Sequence, residues 1–215
     1  MEGEAVMEHM ADYPGWTLLR HGLKEPVCPR GSQGVGILLS PAAAAAWTEA
    51  GTQVNTFGPR IISTRLKVKD NCGRPLVLYI VSAYAPLASA AKADRQRYFS
   101  DLQKCYDACA KNEVFVLGTD ANAALGITRS KRDRVLGPYG IAHTNDAGGE
   151  TYQFLARNEM CSPTTFARNV TRNGLERYAT WHHPNGGRGY QNDHFFLRQR
   201  DRKRVRKALR WSGEM

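Results

Sequence analysis

One nine-residue run constrains the fold more than any other. Leu76-Val77-Leu78-Tyr79-Ile80-Val81-Ser82-Ala83-Tyr84 is rich in β-branched and aromatic residues and is closed by Ala85-Pro86. Such a run is a strand, and a mostly apolar strand must be covered on both faces. A second run, Glu113-Val114-Phe115-Val116-Leu117-Gly118, has the same character. Between them Tyr98, Phe99, Leu102, Cys105, Tyr106 and Cys109 recur at helical spacing, which predicts a helix over 91–111.

The flanking sequence adds strands rather than helices. Gly34 to Ser40 reads as a buried strand stopped by Pro41, and Trp16 to Arg20 as a short one. Arg60 to Val68 alternates through Ile62, Thr64, Leu66 and Val68, as a half-buried strand should, and Asn71 to Pro75 is its turn. Glu150 to Arg157 reads as a short helix. Arg177–Trp181 and Asp193–Leu197 read as a late hairpin. Many strands and few helices predict an α+β fold, a two-sheet sandwich covered by helices. At 215 residues the chain suits one domain, 14–200, with a short segment 1–13 before it and a basic tail 201–215 after it.

No window approaches the roughly 20 apolar residues of a membrane span. Met1-Glu2-Gly3-Glu4 is acidic where a signal peptide is basic, and the cysteines lack metal-type spacing. These features predict an intracellular protein, nuclear or cytoplasmic, with reduced thiols and no membrane partner. Asn169-Val170-Thr171 matches a glycosylation sequon, a pattern common by chance.

The net charge of +10 is concentrated. Between Arg198 and Arg210 eight basic residues, including Arg200, Lys203 and Arg204, face one acid, Asp201. Arg129, Lys131, Arg132 and Arg134 form a second cluster around Asp133. Each is either a solvated run or a phosphate-contacting surface, and two together favour an anionic partner. Nucleic acid is the expected one, with DNA favoured over RNA.

The second cluster follows Gly118-Thr119-Asp120-Ala121-Asn122-Ala123, which leaves a buried strand at the rim of the core. On extended backbone Asp120 and Asn122 point the same way and offer oxygens to a divalent metal or a phosphoryl group. The plainer alternative is an Asx turn. Asp193 interrupts an apolar stretch, where a carboxylate needs a partner or a cation. Tyr84, at its strand's end, either packs or bonds a phosphate oxygen.

Five segments carry a resemblance: Gly34 to Leu39, Ser82-Ala83-Tyr84-Ala85-Pro86, Leu117 to Ala123, Thr180 to Pro184, and Gln191 to Arg198. In this order they resemble the endonuclease/exonuclease/phosphatase superfamily, above all the endonuclease domains of non-LTR retrotransposons and their craniofacial-development-protein-like relatives. The resemblance spans about 14–207. It implies a four-layer α/β sandwich of two mainly antiparallel sheets flanked by helices, and Mg2+-dependent phosphodiester hydrolysis, with Mn2+ as a substitute. Tyr84 would contact the scissile phosphate, Asp120 would orient the attacking water, and Asn122 would bind the phosphate. Asp193 would match the acid that supports the family's catalytic histidine, and Asp120 and Asp193 are the metal candidates.

The sequence also departs from the family's Gly-Asp-Phe-Asn pattern at Thr119 and Ala121. The family's first strand, with its Asn, and its closing Ser-Asp-His segment have no counterpart here, and Glu2 or Glu4 lies at about the offset of its metal-binding Glu. His194 should alternate away from Asp193, and His182 and His183 sit in a Gly-rich loop. Two readings therefore stand: a nuclease, or a degenerate nuclease fold that binds nucleic acid as a subunit of a larger polyprotein or assembly. A phosphatase of small molecules suits the charge least.

Overall fold

The computed structural model describes residues 5–22, 34–128, 130–167, 178–182, 185–187 and 189–205. Glu2, Glu4, Arg129, the 169–171 sequon, His183, Arg206, Lys207 and Arg210 lie outside the described residues. The chain divides into two compact units, Met1–Pro86 with Ala90–Gly118, and Leu87–Ser89 with Thr119–Met215.

The first unit is built on two sheets. Strands β1 (Val6–His9), β2 (Thr17–His21) and β3 (Val35–Leu39) pair antiparallel in that order, with Val6 opposite Arg20 and Thr17 opposite Leu39. The segment 1–13 therefore contributes an edge strand, tied by the Arg20–Glu8 ion pair. Strands β4 (Val54–Thr56), β5 (Ile61–Lys69), β6 (Pro75–Tyr84) and β7 (Val114–Asp120) are successive neighbours, and the β5–β6 register runs from Ile61 opposite Ala83 to Lys69 opposite Pro75. Helices α1 (Pro41–Glu49) and α2 (Lys92–Asp107) complete it.

Strand β5 is not half-buried as its alternation predicts. Ile61, Ile62, Ser63 and Thr64 are all buried. Ile62 and Leu66 join Leu19, Val35, Ile37, Leu39 and Trp47 in one core cluster. The opposite face carries Ser63, whose hydroxyl donates to Tyr79 Oη at 2.8 Å; Tyr79 lies 4.0 Å from Cys105 Sγ on α2. The strand is sandwiched, so both of its faces needed apolar or satisfied groups. On the α2 side Tyr79 stacks on Phe115 at 6.0 Å and Tyr106 meets Phe115 edge-on at 5.1 Å. Burial pushes the Cys105 thiol up to about 12, which keeps it protonated.

Three further departures have local causes. The run Ala42 to Ala46, where the sequence analysis places no element, lies in helix α1: Ser40 Oγ accepts from Ala43 N and Pro41 supplies the first turn. Strand β3 is covered on one face only, with Leu38 53% exposed, because the three-stranded sheet has one packed side. Helix α2 stops at Asp107, short of Lys111. Glu113 accepts from Ala110 N at 2.8 Å and from Arg65 Nε at 2.7 Å, and those bonds fix the turn into β7.

The second unit contains α3 (Asp146–Arg157), β8 (Met160–Cys161), β9 (Trp181–His182), β10 (Gly189–Tyr190) and β11 (Asp193–Arg198), with 3-10 turns at Pro163–Phe166 and Gln199–Arg204. The late hairpin is β9 with β10, pairing Trp181 with Tyr190. Strand β11 pairs instead with β8, Leu197 opposite Cys161. Its core holds Phe154, Leu155, Met160, Cys161, Phe196 and Leu197. The stretch read as a tail begins as folded structure. Asp201 is 4% exposed and takes Arg200 and Arg204 as ion-pair partners, which winds 199–204 into its turn. No described helix is long and apolar enough to cross a membrane.

Candidate active site

Asp120 is the last residue of β7, where the buried strand opens into a loop. Its Oδ1 accepts the Asn122 amide at 3.0 Å, so the Asx turn forms. Asn122 has φ of 45°, in the left-handed region that Asn tolerates better than most side chains. The period-two alternation on which the sequence placed both side chains therefore ends at Asp120; the turn, not extended backbone, brings Asn122 to it.

Two clamps fix this loop. Ala121 N donates to Asn192 O at 2.7 Å, which ties the loop to the residue before Asp193. Asn145 is the N-cap of α3, and its Oδ1 accepts both Gly148 N at 2.8 Å and Ala124 N at 3.1 Å. A third tie orients Asp193: Thr180 Oγ1 accepts the amides of Asn192 and Asp193, each at 3.0 Å. The structure thus brings Asp120, Asn122 and Asp193 together in the second unit. Thr180 and Asn192 fall in the polar segments that the sequence marks, without a role, whereas Asn145, which clamps the loop through Ala124, is not singled out by the sequence.

The electrostatics follow from this geometry. Burial raises the Asp120 carboxyl above its ordinary range; the Asn122 amide opposes that rise, and the Asp193 charge adds to it. Asp193 itself is exposed, so water solvates it, and the need for a partner that the sequence places on Asp193 falls on half-buried Asp120 instead. An incompletely compensated carboxylate beside a second one suits an oxygen-seeking cation such as Mg2+, which keeps several waters. Among the described residues no group of three or more His, Cys, Asp and Glu side chains is arranged to hold a metal.

His194 alternates away from Asp193 and is buried. Its Nε2 lies 3.0 Å from Gln191 O; a carbonyl only accepts, so Nε2 carries the proton. Burial drives its pKa down to about 4. The folded chain therefore resists a protonation that the unfolded chain accepts. Stability should be full above about pH 6.5 and fall by about 3 kcal/mol as the pH drops to about 4. Urea denaturation at pH 7.5 and 4.5 measures this, and His194→Gln, which keeps a donor for Gln191, should flatten the dependence. An equally steep loss in that variant would assign it to other groups.

Tyr84 belongs to the first unit. It is half-buried at the end of β6, with the Arg60 guanidinium 5.3 Å from its ring centroid and Arg60 Nη1 donating to its carbonyl at 3.4 Å. Of the basic candidates, Lys131, Arg132, Arg200, Lys203 and Arg204 are exposed and all lie in the second unit. His182 is exposed on the β9–β10 hairpin.

No family model matches the chain. Craniofacial development protein 2 of Bos taurus is 29% identical over 154 residues, which cover 72% of this chain and 24% of that protein. The Tragulus javanicus protein of the same name is 28% identical over 154 residues, 72% of this chain and 25% of that one. The chain thus spans about a quarter of the length of these curated relatives. Among solved structures, the 3'-5' exonuclease NExo from Neisseria meningitidis superposes with a TM-score of 0.53 at 16% identity, over 88% of this chain and 69% of that one. The structure of the 3' phosphatase NExo from Neisseria bound to a product DNA hairpin matches equally, at TM-score 0.53 and 16% identity, again over 88% and 69%. At that identity the likeness shows the fold: an α+β sandwich of the endonuclease/exonuclease/phosphatase type, the superfamily the sequence resembles.

Proposed function

We propose that this chain is a nuclease-like hydrolase that cleaves phosphodiesters of nucleic acid with the help of Mg2+ or Mn2+. The observation that carries the reading is the pair of Asp120 and Asp193. Burial and the neighbouring charge leave Asp120 short of compensation, with only the Asn122 backbone amide, among the described residues, donating to its Oδ1. Asp120 and Asp193 would hold the cation, and Asn122 would bind a phosphate oxygen. A bound divalent ion supplies charge neutralisation at phosphorus and its leaving oxygen. Asp120 would accept a hydrogen bond from the attacking water and so orient it as its oxygen bonds to phosphorus and the P–O ester bond breaks, the water's proton passing to solvent and the leaving alkoxide taking one from solvent. Tyr84 is offered as a phosphate contact on the superfamily resemblance alone.

Two comparisons support nucleic acid as the substrate class: the fold is that of an exonuclease, and the same protein is solved with a product DNA hairpin. DNA is favoured over RNA. One observation favours a second reading, a nucleic-acid-binding subunit that has lost catalysis: His194 is neutral and faces the core, so it does not serve Asp120 as a base. Conversion of supercoiled plasmid to open circle, in Mg2+ and in EDTA, tests the choice. Metal-dependent nicking supports the hydrolase; retained DNA binding without nicking supports the subunit.

A further inference from the structure

The two basic clusters have the same make-up and opposite wiring. Each is a run of cations around one aspartate. Asp133 spends both oxygens on neutral donors: Oδ1 accepts the amides of Val135 at 2.8 Å and Leu136 at 3.1 Å, and Oδ2 accepts the Tyr152 hydroxyl of α3 at 3.2 Å. Two further side-chain bonds shape the turn. Thr128 Oγ1 accepts from Ser130 N at 3.2 Å, and Ser130 Oγ accepts from Arg132 N at 3.3 Å. Lys131, Arg132 and Arg134 are exposed, and none forms an ion pair with a described residue. The aspartate builds the turn without neutralising it.

After β11 the reverse holds. Asp201 lies in a 3-10 turn, 4% exposed, and is paired by Arg204 Nε at 2.9 Å and Arg200 Nε at 3.4 Å. Arg202 lies over the Phe166 ring at 4.1 Å, and Arg198 is 9% exposed. Drawing Arg200 or Arg204 onto a phosphate would strip partners from a buried carboxylate, which is costly. Of the cations between Arg198 and Arg204, Lys203 alone has no such commitment to a described residue.

We propose that the nucleic-acid phosphodiester backbone is gripped by the turn bearing Lys131, Arg132 and Arg134, with Asp133 and Tyr152 as its positioning residues, and only weakly by the segment 200–204. This rests on the nucleic-acid reading above. Free, exposed cations release counterions without first breaking an internal pair, so they contribute fully to affinity and its salt dependence. Of the described cations of 200–204, Arg200, Arg202 and Arg204 are already engaged, which makes this segment the weaker contact.

The test compares two matched double variants, each losing two positive charges. Lys131→Gln with Arg132→Gln is set against Arg200→Gln with Lys203→Gln, which leaves Arg204 on Asp201. Fluorescence anisotropy of labelled duplex DNA and of RNA of the same sequence is followed from 50 to 200 mM NaCl. The slope of log affinity against log salt should flatten by about 2 in the first variant and by about 1 or less in the second. Adding Arg134→Gln to the first should flatten it by about 1 more. Tyr152→Phe changes no charge and should weaken binding about two- to five-fold at fixed salt, one hydrogen bond's worth. Equal slopes in the two doubles, or the larger change at 200 and 203, would overturn the assignment. Unchanged affinity in Tyr152→Phe would overturn the positioning role. If the intact chain binds neither nucleic acid at 50 mM NaCl, the proposed function itself fails.

Discussion

Asp120→Ala should reduce Mg2+-dependent nicking by about 10²–10⁴-fold, the span usually lost with a group that handles the attacking water. The fold should survive, and the reason is electrostatic. Asp120 is half-buried with its carboxyl raised first by burial and then by Asp193, so removing it also removes an unfavourable buried charge. The loss is one hydrogen bond, Asp120 Oδ1 to Asn122 N at 3.0 Å, about 1 kcal/mol. Asn122 remains to hold its own left-handed φ, and Asn145 still clamps Ala124. Activity and stability should therefore separate. Quantified nicking beside a thermal melt checks this. A variant that nicks like the parent would remove Asp120 from the chemistry; one that melts before assay would make its role structural.

The second large effect concerns Gly148. It lies in the first turn of α3, the turn that carries the Asn145 cap. A Cβ there would stand 1.9 Å from Ala124 O and 2.7 Å from Ala124 C, both backbone atoms of the loop that bears the site. Backbone cannot rotate aside as a side chain can. Gly148→Ala should cost about 3 kcal/mol, well beyond the roughly 1 kcal/mol that alanine gains over glycine in a helix. Gly149 is its internal control. A Cβ at Gly149 meets nothing within 4 Å, so Gly149→Ala should stabilise the same helix by up to about 1 kcal/mol. Urea denaturation of the two variants should move the midpoint in opposite directions. Similar shifts in both would mean that α3 does not pack on the loop through Gly148.

This glycine pair also shows where sequence reading stops. The sequence places a short helix from Glu150; it begins at Asp146, capped by Asn145, with Gly148 at a contact that leaves no room for a Cβ. Strands β6 and β7 are legible as apolar runs, and the buried face of α2 by its helical spacing. The two faces of β5 are not, since Ser63 is buried by a bond to Tyr79, sixteen residues away. Helix α1 has its signal in Ser40-Pro41 and five alanines, but Pro41 reads only as the end of a strand.

The site divides the same way. Asp120 stands out as a carboxylate ending an apolar strand, and the outward–inward order of Asp193 and His194 follows from alternation. The Asx turn that the sequence offers for the Asp120 loop forms, and it leaves the second carboxylate oxygen outside that bond. What joins the pieces was hidden. Thr180 reaches Asp193 across 13 residues and Asn145 reaches Ala124 across 21, and neither spacing has a sequence signature. The wiring of the basic clusters is likewise invisible to a charge count, which does not show that Asp201 pairs with Arg200 and Arg204 while Asp133 accepts from amides and Tyr152.

The central claim is that Asp120 and Asp193 together hold a divalent cation, and calorimetric titration of Mn2+ and of Mg2+ into the full chain tests it most directly. One site is predicted, weakened at least about tenfold in both Asp120→Asn and Asp193→Asn, since each removes one of its two charged ligands. Absence of binding in the parent chain, or binding that neither substitution changes, would contradict it.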